Sequence, residues 1–140
     1  VLVFLSAKCP CSASHVGEIR KLSQEFKDFR FVGIHSNTNE DKPLTQAYFK
    51  NAGLGFPVIQ DSGAKLADEY RASKTPHAYV ISADGRTLYK GGVTDSKNCD
   101  QSGRNFLREA LDDANQGKKV RTPEARTLGC AIARGDKNVW

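Results

Sequence analysis

The apolar run Val1-Leu2-Val3-Phe4-Leu5 is followed, after Ser6-Ala7-Lys8, by Cys9-Pro10-Cys11-Ser12. Five consecutive apolar residues rich in β-branched and aromatic side chains read as a strand buried on both faces. Proline suits the first helical position, because it has no N–H to leave unpaired and its φ is already near the helical value. With Pro10 there, Cys9 falls at the N-cap, where its sulfur accepts from the N–H groups of Cys11 and Ser12. A helix start carries unpaired N–H groups and about half a positive charge, which favours the reactive thiolate. Cys9 is therefore the predicted nucleophile. Cys11, two residues on, is either a resolving thiol through a small strained ring or a bystander. The competing reading is that both are inert buried thiols.

Outward from this junction the pattern alternates. Val16, Ile19, Leu22 and Phe26 predict an amphipathic helix from about Ser12 to Lys27, and Phe29 to His35 predicts a second buried strand. Strand, helix and strand in that order form a right-handed parallel unit. Pro43 opens a helix through Asn51 that ends at Gly53. A short strand at Phe56–Asp61 and a short helix around Ala64–Tyr70 follow. The period then changes: His77–Ser82 and Thr87–Lys90, joined across Asp84-Gly85, predict an antiparallel hairpin. Phe106, Leu107, Ala110, Leu111 and Ala114 form the stripe of a last helix that Gly117 terminates. Residues 118–140 show no period and are expected to be an irregular tail. The organisation is one domain over 1–117 with a C-terminal extension, 118–140, packed on it.

With 140 residues, 39% of them hydrophobic, the chain can bury a core without metal or disulfide staples. The net charge of +5 is scattered, apart from Lys118, Lys119 and Arg121, and no basic stripe interleaves with aromatics. Nucleic acid is not an expected partner. No apolar stretch approaches the ~20 residues of a membrane span. With no methionine and a start inside a strand, the sequence is expected to be a portion of a longer protein, its upstream region not represented.

Thr75-Pro76 stands directly before the hairpin. An X-Pro bond in a tight turn can be cis, and the residue before it can offer its N–H and C=O to an extended substrate backbone. Together with Phe4-Leu5-Ser6-Ala7-Lys8-Cys9-Pro10-Cys11, Phe56-Pro57-Val58 with Asp61, His77-Ala78-Tyr79-Val80-Ile81, Ala83-Asp84-Gly85 and Gly129-Cys130-Ala131-Ile132, it makes the chain resemble the thioredoxin fold. Within that fold it resembles the redoxin branch, the bacterial AhpC/TSA-like and TlpA-like proteins. The resemblance implies an α/β domain whose mixed sheet combines a parallel unit and an antiparallel hairpin between helices. It also implies a thiol-based oxidoreductase acting with Cys9 and Cys11, with Pro10, Thr75, Pro76 and Ser6 shaping the substrate groove. Two departures stand out. Ser12 replaces the second thiol of the usual Cys-x-x-Cys, and Ser6 occupies the place where peroxidase relatives carry Thr or Ser.

The remaining thiols, Cys99 and Cys130, leave several pairings open. A structural Cys99–Cys130 disulfide would pin the tail and mark an oxidising compartment; alternatively Cys130 returns to Cys9 or Cys11 as a resolving partner. Cys9, Cys11, His15 and His77 offer sulfur and nitrogen atoms of the kind that bind copper or zinc. The cysteines are spaced too closely for the copper-handling relatives, and His15 is expected on a helix surface, so no metal and no cofactor is predicted. His35 has no partner legible in the sequence. The predicted function is thiol–disulfide exchange, with a thiol peroxidase and a non-catalytic copper- or partner-binding module as alternatives. Its partners would be a protein or small-molecule disulfide or a peroxide, and an external thiol reductant. Its place would be the periplasm or cell envelope, with the cytoplasm as the alternative.

Overall fold

The structure is a computed structural model that describes residues 1–134. A five-stranded sheet runs in the order β3-β2-β1-β5-β6. Its central strand, β1 (Leu2–Leu5), pairs in parallel with β2 (Val32–His35), which pairs in parallel with β3 (Val58–Gln60). On its other side β1 pairs antiparallel with β5 (His77–Ile81), which forms a hairpin with β6 (Thr87–Gly91). Both predicted halves, the parallel unit and the hairpin, therefore share β1.

Helices cover both faces because both faces of β1 are apolar. Val3 and Leu5 point into a core with Val16, Ile19 and Leu22 of α1 (Pro10–Glu25) and Leu107 and Leu111 of α4 (Phe106–Asn115). Phe4 points the opposite way, into a smaller core with Ile34, Ala64, Tyr79, Ile132 and Ala67 of α3 (Lys65–Tyr70). This is the alternation a strand imposes. Remaining between β2 and β3, α2 (Lys42–Ala52) is capped by the Asp41 side chain on the Leu44 N–H and ends at left-handed Gly53, as the Pro43 and Gly53 signals predict.

The first helix begins at Pro10 with Cys9 as its cap, as the Pro10 signal predicts, two residues before the start that the apolar spacing alone suggests. Two expectations are corrected. The run from Phe29 pairs as a strand only from Val32; Phe31 is core, and Phe29 stacks edge-on against Phe26, so their apolar character reflects packing rather than pairing. The tail is not irregular throughout. Val120 is buried, the Lys90 N–H donates to the Pro123 carbonyl, and the Ala125 N–H donates to the Lys90 carbonyl. Further on, β7 (Cys130–Ala131) pairs antiparallel with β4 (Lys74–Thr75), setting Cys130 opposite Thr75. A strand of two residues is too short to leave a period in the sequence.

Candidate active site

The site forms where β1 ends, α1 begins and the tail crosses. Cys9 takes an extended conformation at the N-cap, and its Sγ accepts from the Ser12 N–H at 3.4 Å. It is 4% exposed. The Cys9 thiol also lies 3.5 Å from the Thr75 carbonyl oxygen, and the Thr75–Pro76 bond is cis. Cys130 arrives opposite Thr75, and the Sγ atoms of Cys9, Cys11 and Cys130 all lie within 4.8 Å of one another. Burial alone would push the Cys9 thiol up, but bonds from the Cys130 thiol, from the Ser12 N–H and from the Cys130 N–H outweigh it and hold the thiol below its ordinary value. Cys130 moves the opposite way: burial and its bond to Cys9 push it up to about 12. The two opposite shifts order the pair: Cys9 gives up its proton more readily than Cys130.

The cysteines do not pair as a structural bridge between Cys99 and Cys130. All four are free thiols, and Cys130 belongs with Cys9 and Cys11. Cys99 lies instead in a short 3₁₀ turn, Cys99–Gln101, against α1, its N–H donating to the Ser14 hydroxyl. Rotation about a helix axis would carry Cys11 about 100° per residue away from Cys9. Cys9, however, is the extended cap and lies outside the helical rotation, so Cys11 stays within reach.

Beneath the loop lies a buried polar network invisible in the sequence pattern. Ser6, 1% exposed, donates its hydroxyl to Glu40 and accepts from the N–H groups of Lys8 and Cys9 and from Asn37. This hydroxyl lies under the loop with all its partners filled, rather than in a substrate groove. Glu40 also accepts from the Ala7 N–H at 2.7 Å and meets His35 Nε2 at 2.9 Å. Burial opposes the charge on Glu40, but its bonds from Ser6, Asn37, His35 and Ala7 prevail and keep the carboxyl below its usual range. From the helix side, the Ser12 hydroxyl accepts from the Ser6 N–H. Cys9 is therefore held by its backbone on one side and by α1 on the other. The signal missed was the spacing of Asn37 and Glu40, which reads as an ordinary polar loop.

The histidines also differ from expectation. His15 is 1% exposed, not on the surface, with Nδ1 at 2.7 Å from the Cys11 carbonyl and Nε2 at 2.7 Å from the Thr94 hydroxyl. His35 finds Gln60 and Glu40. His77, just after Pro76, stacks on Tyr79 at 4.7 Å. Its Nδ1 is buried without a hydrogen-bond partner, and burial, aided by Lys90, lowers its pKa to about 4. Neither His15 nor His77 joins the thiols.

A mixed sheet with a thiol at the start of the helix after its central strand, facing a cis-proline turn, defines a thioredoxin-like protein. The chain belongs to the Redoxin family, which it matches over residues 1–105. It is similar to the thiol-disulfide oxidoreductase ResA of Halalkalibacterium halodurans, at 28% identity over 67% of this chain and 54% of that protein. The Bacillus subtilis ResA is 26% identical over 56% of this chain and 47% of that protein. The chain thus spans about half the length of these relatives. Among solved structures, an uncharacterized conserved protein from Geobacillus kaustophilus superposes with a TM-score of 0.84 at 26% identity, covering 94% of this chain and 75% of that one. Among the described residues, no helix is long and apolar enough to cross a membrane.

Proposed function

We propose that the domain is a thiol–disulfide oxidoreductase in which Cys9 attacks and Cys130, rather than Cys11, resolves. The observation that carries this reading is the placement of Cys130 opposite Thr75 and against the capped Cys9 sulfur. The similarity to the two ResA proteins supports the reaction class.

The Cys9 thiolate attacks one sulfur of a substrate disulfide. A Cys9–substrate disulfide forms, and the other substrate sulfur leaves as a thiolate that takes a proton from water. Cys9 then no longer carries charge, so the bond that held the proton on Cys130 is gone. Cys130 can give up its proton and attack the Cys9 sulfur, forming a Cys9–Cys130 disulfide and releasing the second substrate thiol. An external dithiol restores both cysteines. Two electrons pass from that dithiol to the substrate disulfide. The Thr75 carbonyl forms one wall beside the Cys9 sulfur, while the Ser6 hydroxyl is already engaged by Glu40 and is not free to orient a peroxide, so disulfide chemistry is favoured over peroxide chemistry.

The test is reduction of glutathione disulfide with a dithiol reductant, followed by mass spectrometry of the alkylated oxidised chain. Turnover together with a peptide cross-link between Cys9 and Cys130 is expected. Cys9→Ser should lower the rate by about 10³-fold or more, the scale for removing a nucleophile. A Cys9–Cys11 cross-link in its place would overturn the role of Cys130, and turnover that survives Cys9→Ser would overturn the reading altogether.

A further inference from the structure

We propose that Cys9, Cys11 and Cys130 together form a three-coordinate thiolate site for Cu(I). Disulfide exchange needs two sulfurs, and here three lie within 4.8 Å of one another. Metal–sulfur bonds of about 2.3 Å set the three sulfurs of a trigonal site roughly 4 Å apart, so the thiols need to close by less than about 1 Å. Side-chain rotation supplies a movement of that size.

The ligand set selects the metal. Soft thiolates favour Cu(I), zinc or iron–sulfur clusters. Among the described residues no imidazole or carboxylate joins the group. His15, the nearest in sequence, has both ring nitrogens engaged, on the Cys11 carbonyl and the Thr94 hydroxyl. A structural zinc site takes four ligands in a tetrahedron, and the fourth is missing. Cu(I) is satisfied by three sulfurs in a plane. The resulting charge, +1 from copper and −3 from the thiolates, is −2, and it lies at the positive end of the 16-residue α1. Cys9 is 4% exposed, so water competes poorly for the metal.

Two further features hold the third ligand in place. The Ile132 N–H donates to the Ser73 carbonyl at 2.9 Å, and the Ile132 side chain lies in the core beside Phe4 and Tyr79. Cys130 is thus held between a strand pairing and a buried anchor. Binding displaces the thiol protons, up to three per copper, and transfers no electron. Formation of a Cys9–Cys130 disulfide would remove two ligands, so copper loading and the disulfide form exclude each other. The inference stands on the three-sulfur geometry and does not require that the domain turn over a disulfide.

The experiment is an anaerobic titration of the fully reduced chain with Cu(I) against the chromogenic chelator bicinchoninate, with X-ray absorption on the loaded protein. One Cu(I) per chain should be withdrawn from the chelator, with three sulfur scatterers and no nitrogen. Cys130→Ser and Cys11→Ser should each weaken binding at least tenfold and leave two sulfurs, while Cys99→Ser should bind as wild type. Copper that stays on the chelator, two sulfurs in the wild-type spectrum, or unchanged binding in Cys130→Ser would overturn the site, as would displacement of the copper by Zn(II). The wild-type spectrum decides the question even if a variant fails to fold. Exchange activity, assayed separately in metal-free buffer, reads the proposed reaction alone, so either reading can fail without the other.

Discussion

Cys11 reaches Cys9 along the chain, whereas Cys130 reaches it across the fold. The first thiol comes with the opening turn of α1 and needs nothing but Pro10 and a helix. The second comes on a two-residue strand fixed by pairing with β4, by the Ile132 anchor and by a close approach at Gly129. There a Cβ would stand 2.0 Å from the Thr75 carbonyl oxygen, so only glycine lets the tail lie against the cis-proline turn. The tail thiol is therefore anchored by more of the fold than the helix thiol, although 120 residues of sequence lie between it and Cys9. Nearness in sequence and preorganisation are different properties, and the site draws on one of each.

The sharpest way to break this contrast is to remove each partner in turn. Cys130→Ser should slow turnover by about 10–100-fold and trap the mixed disulfide on Cys9, because a tethered thiol acts at millimolar effective concentration and a dilute external one does not. Cys11→Ser should stay within a few-fold of wild type. The reverse ranking, read from steady-state rates and trapped adducts, would make the helix thiol the working partner.

Gly129→Val attacks the approach rather than the sulfur. Its added carbons meet the Thr75 carbonyl, and the strain should destabilise the domain by about 1–3 kcal/mol and lower the yield of the Cys9–Cys130 cross-link. Unchanged urea midpoint and cross-link yield would show that β7 is not what delivers Cys130.

Acid should loosen the strand that follows the Thr75–Pro76 turn. His77 is neutral in the folded chain, with a pKa near 4 against an ordinary value of 6.5. Between those values the unfolded chain binds the extra proton, so stability is complete above pH 6.5 and declines toward pH 4 by at most about 1.4 kcal/mol per pH unit. His77→Phe should flatten that part of the urea-midpoint profile. A slope identical in the variant would assign the acid sensitivity elsewhere.

Ser12→Cys should have the smallest effect. It restores a Cys-x-x-Cys spacing on the local side, but it also removes the hydroxyl that accepts from the Ser6 N–H. With Cys130 already placed, the exchange rate should change by less than about twofold, on the view that a positioned thiol at millimolar effective concentration suffices. A large gain would mean that Cys130 resolves poorly.

Much of the fold was legible because its signals are local. The apolar run Val1–Leu5, the Pro10 and Pro43 helix starts, the Gly53 stop and the Asp84-Gly85 turn each act within a few residues, and the structure follows them. Cys9 was legible for the same reason. What escaped depends on distant partners. His35, Asn37 and Glu40 look like the end of a strand and a polar loop until Ser6 and Ala7 close over them. Cys130 sits on a strand two residues long, too short to leave a period. The attraction of pairing it with Cys99 came from counting thiols, and counting carries no geometry.

The β4–β7 pairing has one more consequence, for what the site refuses. The backbone edge of Thr75, where an extended polypeptide could add as a strand, is already filled by the molecule's own Cys130. A visiting peptide must compete with a segment held on the same chain, whose local concentration is on the order of millimolar, and which brings its own apolar anchor. For the exchange reaction proposed above, this edge should select by exclusion, admitting small disulfides beside the partly exposed Cys11 and Cys130 and turning away long extended chains. Glutathione disulfide should accordingly be a far better substrate than an extended peptide disulfide, and equal rates for the two would show that the edge opens freely.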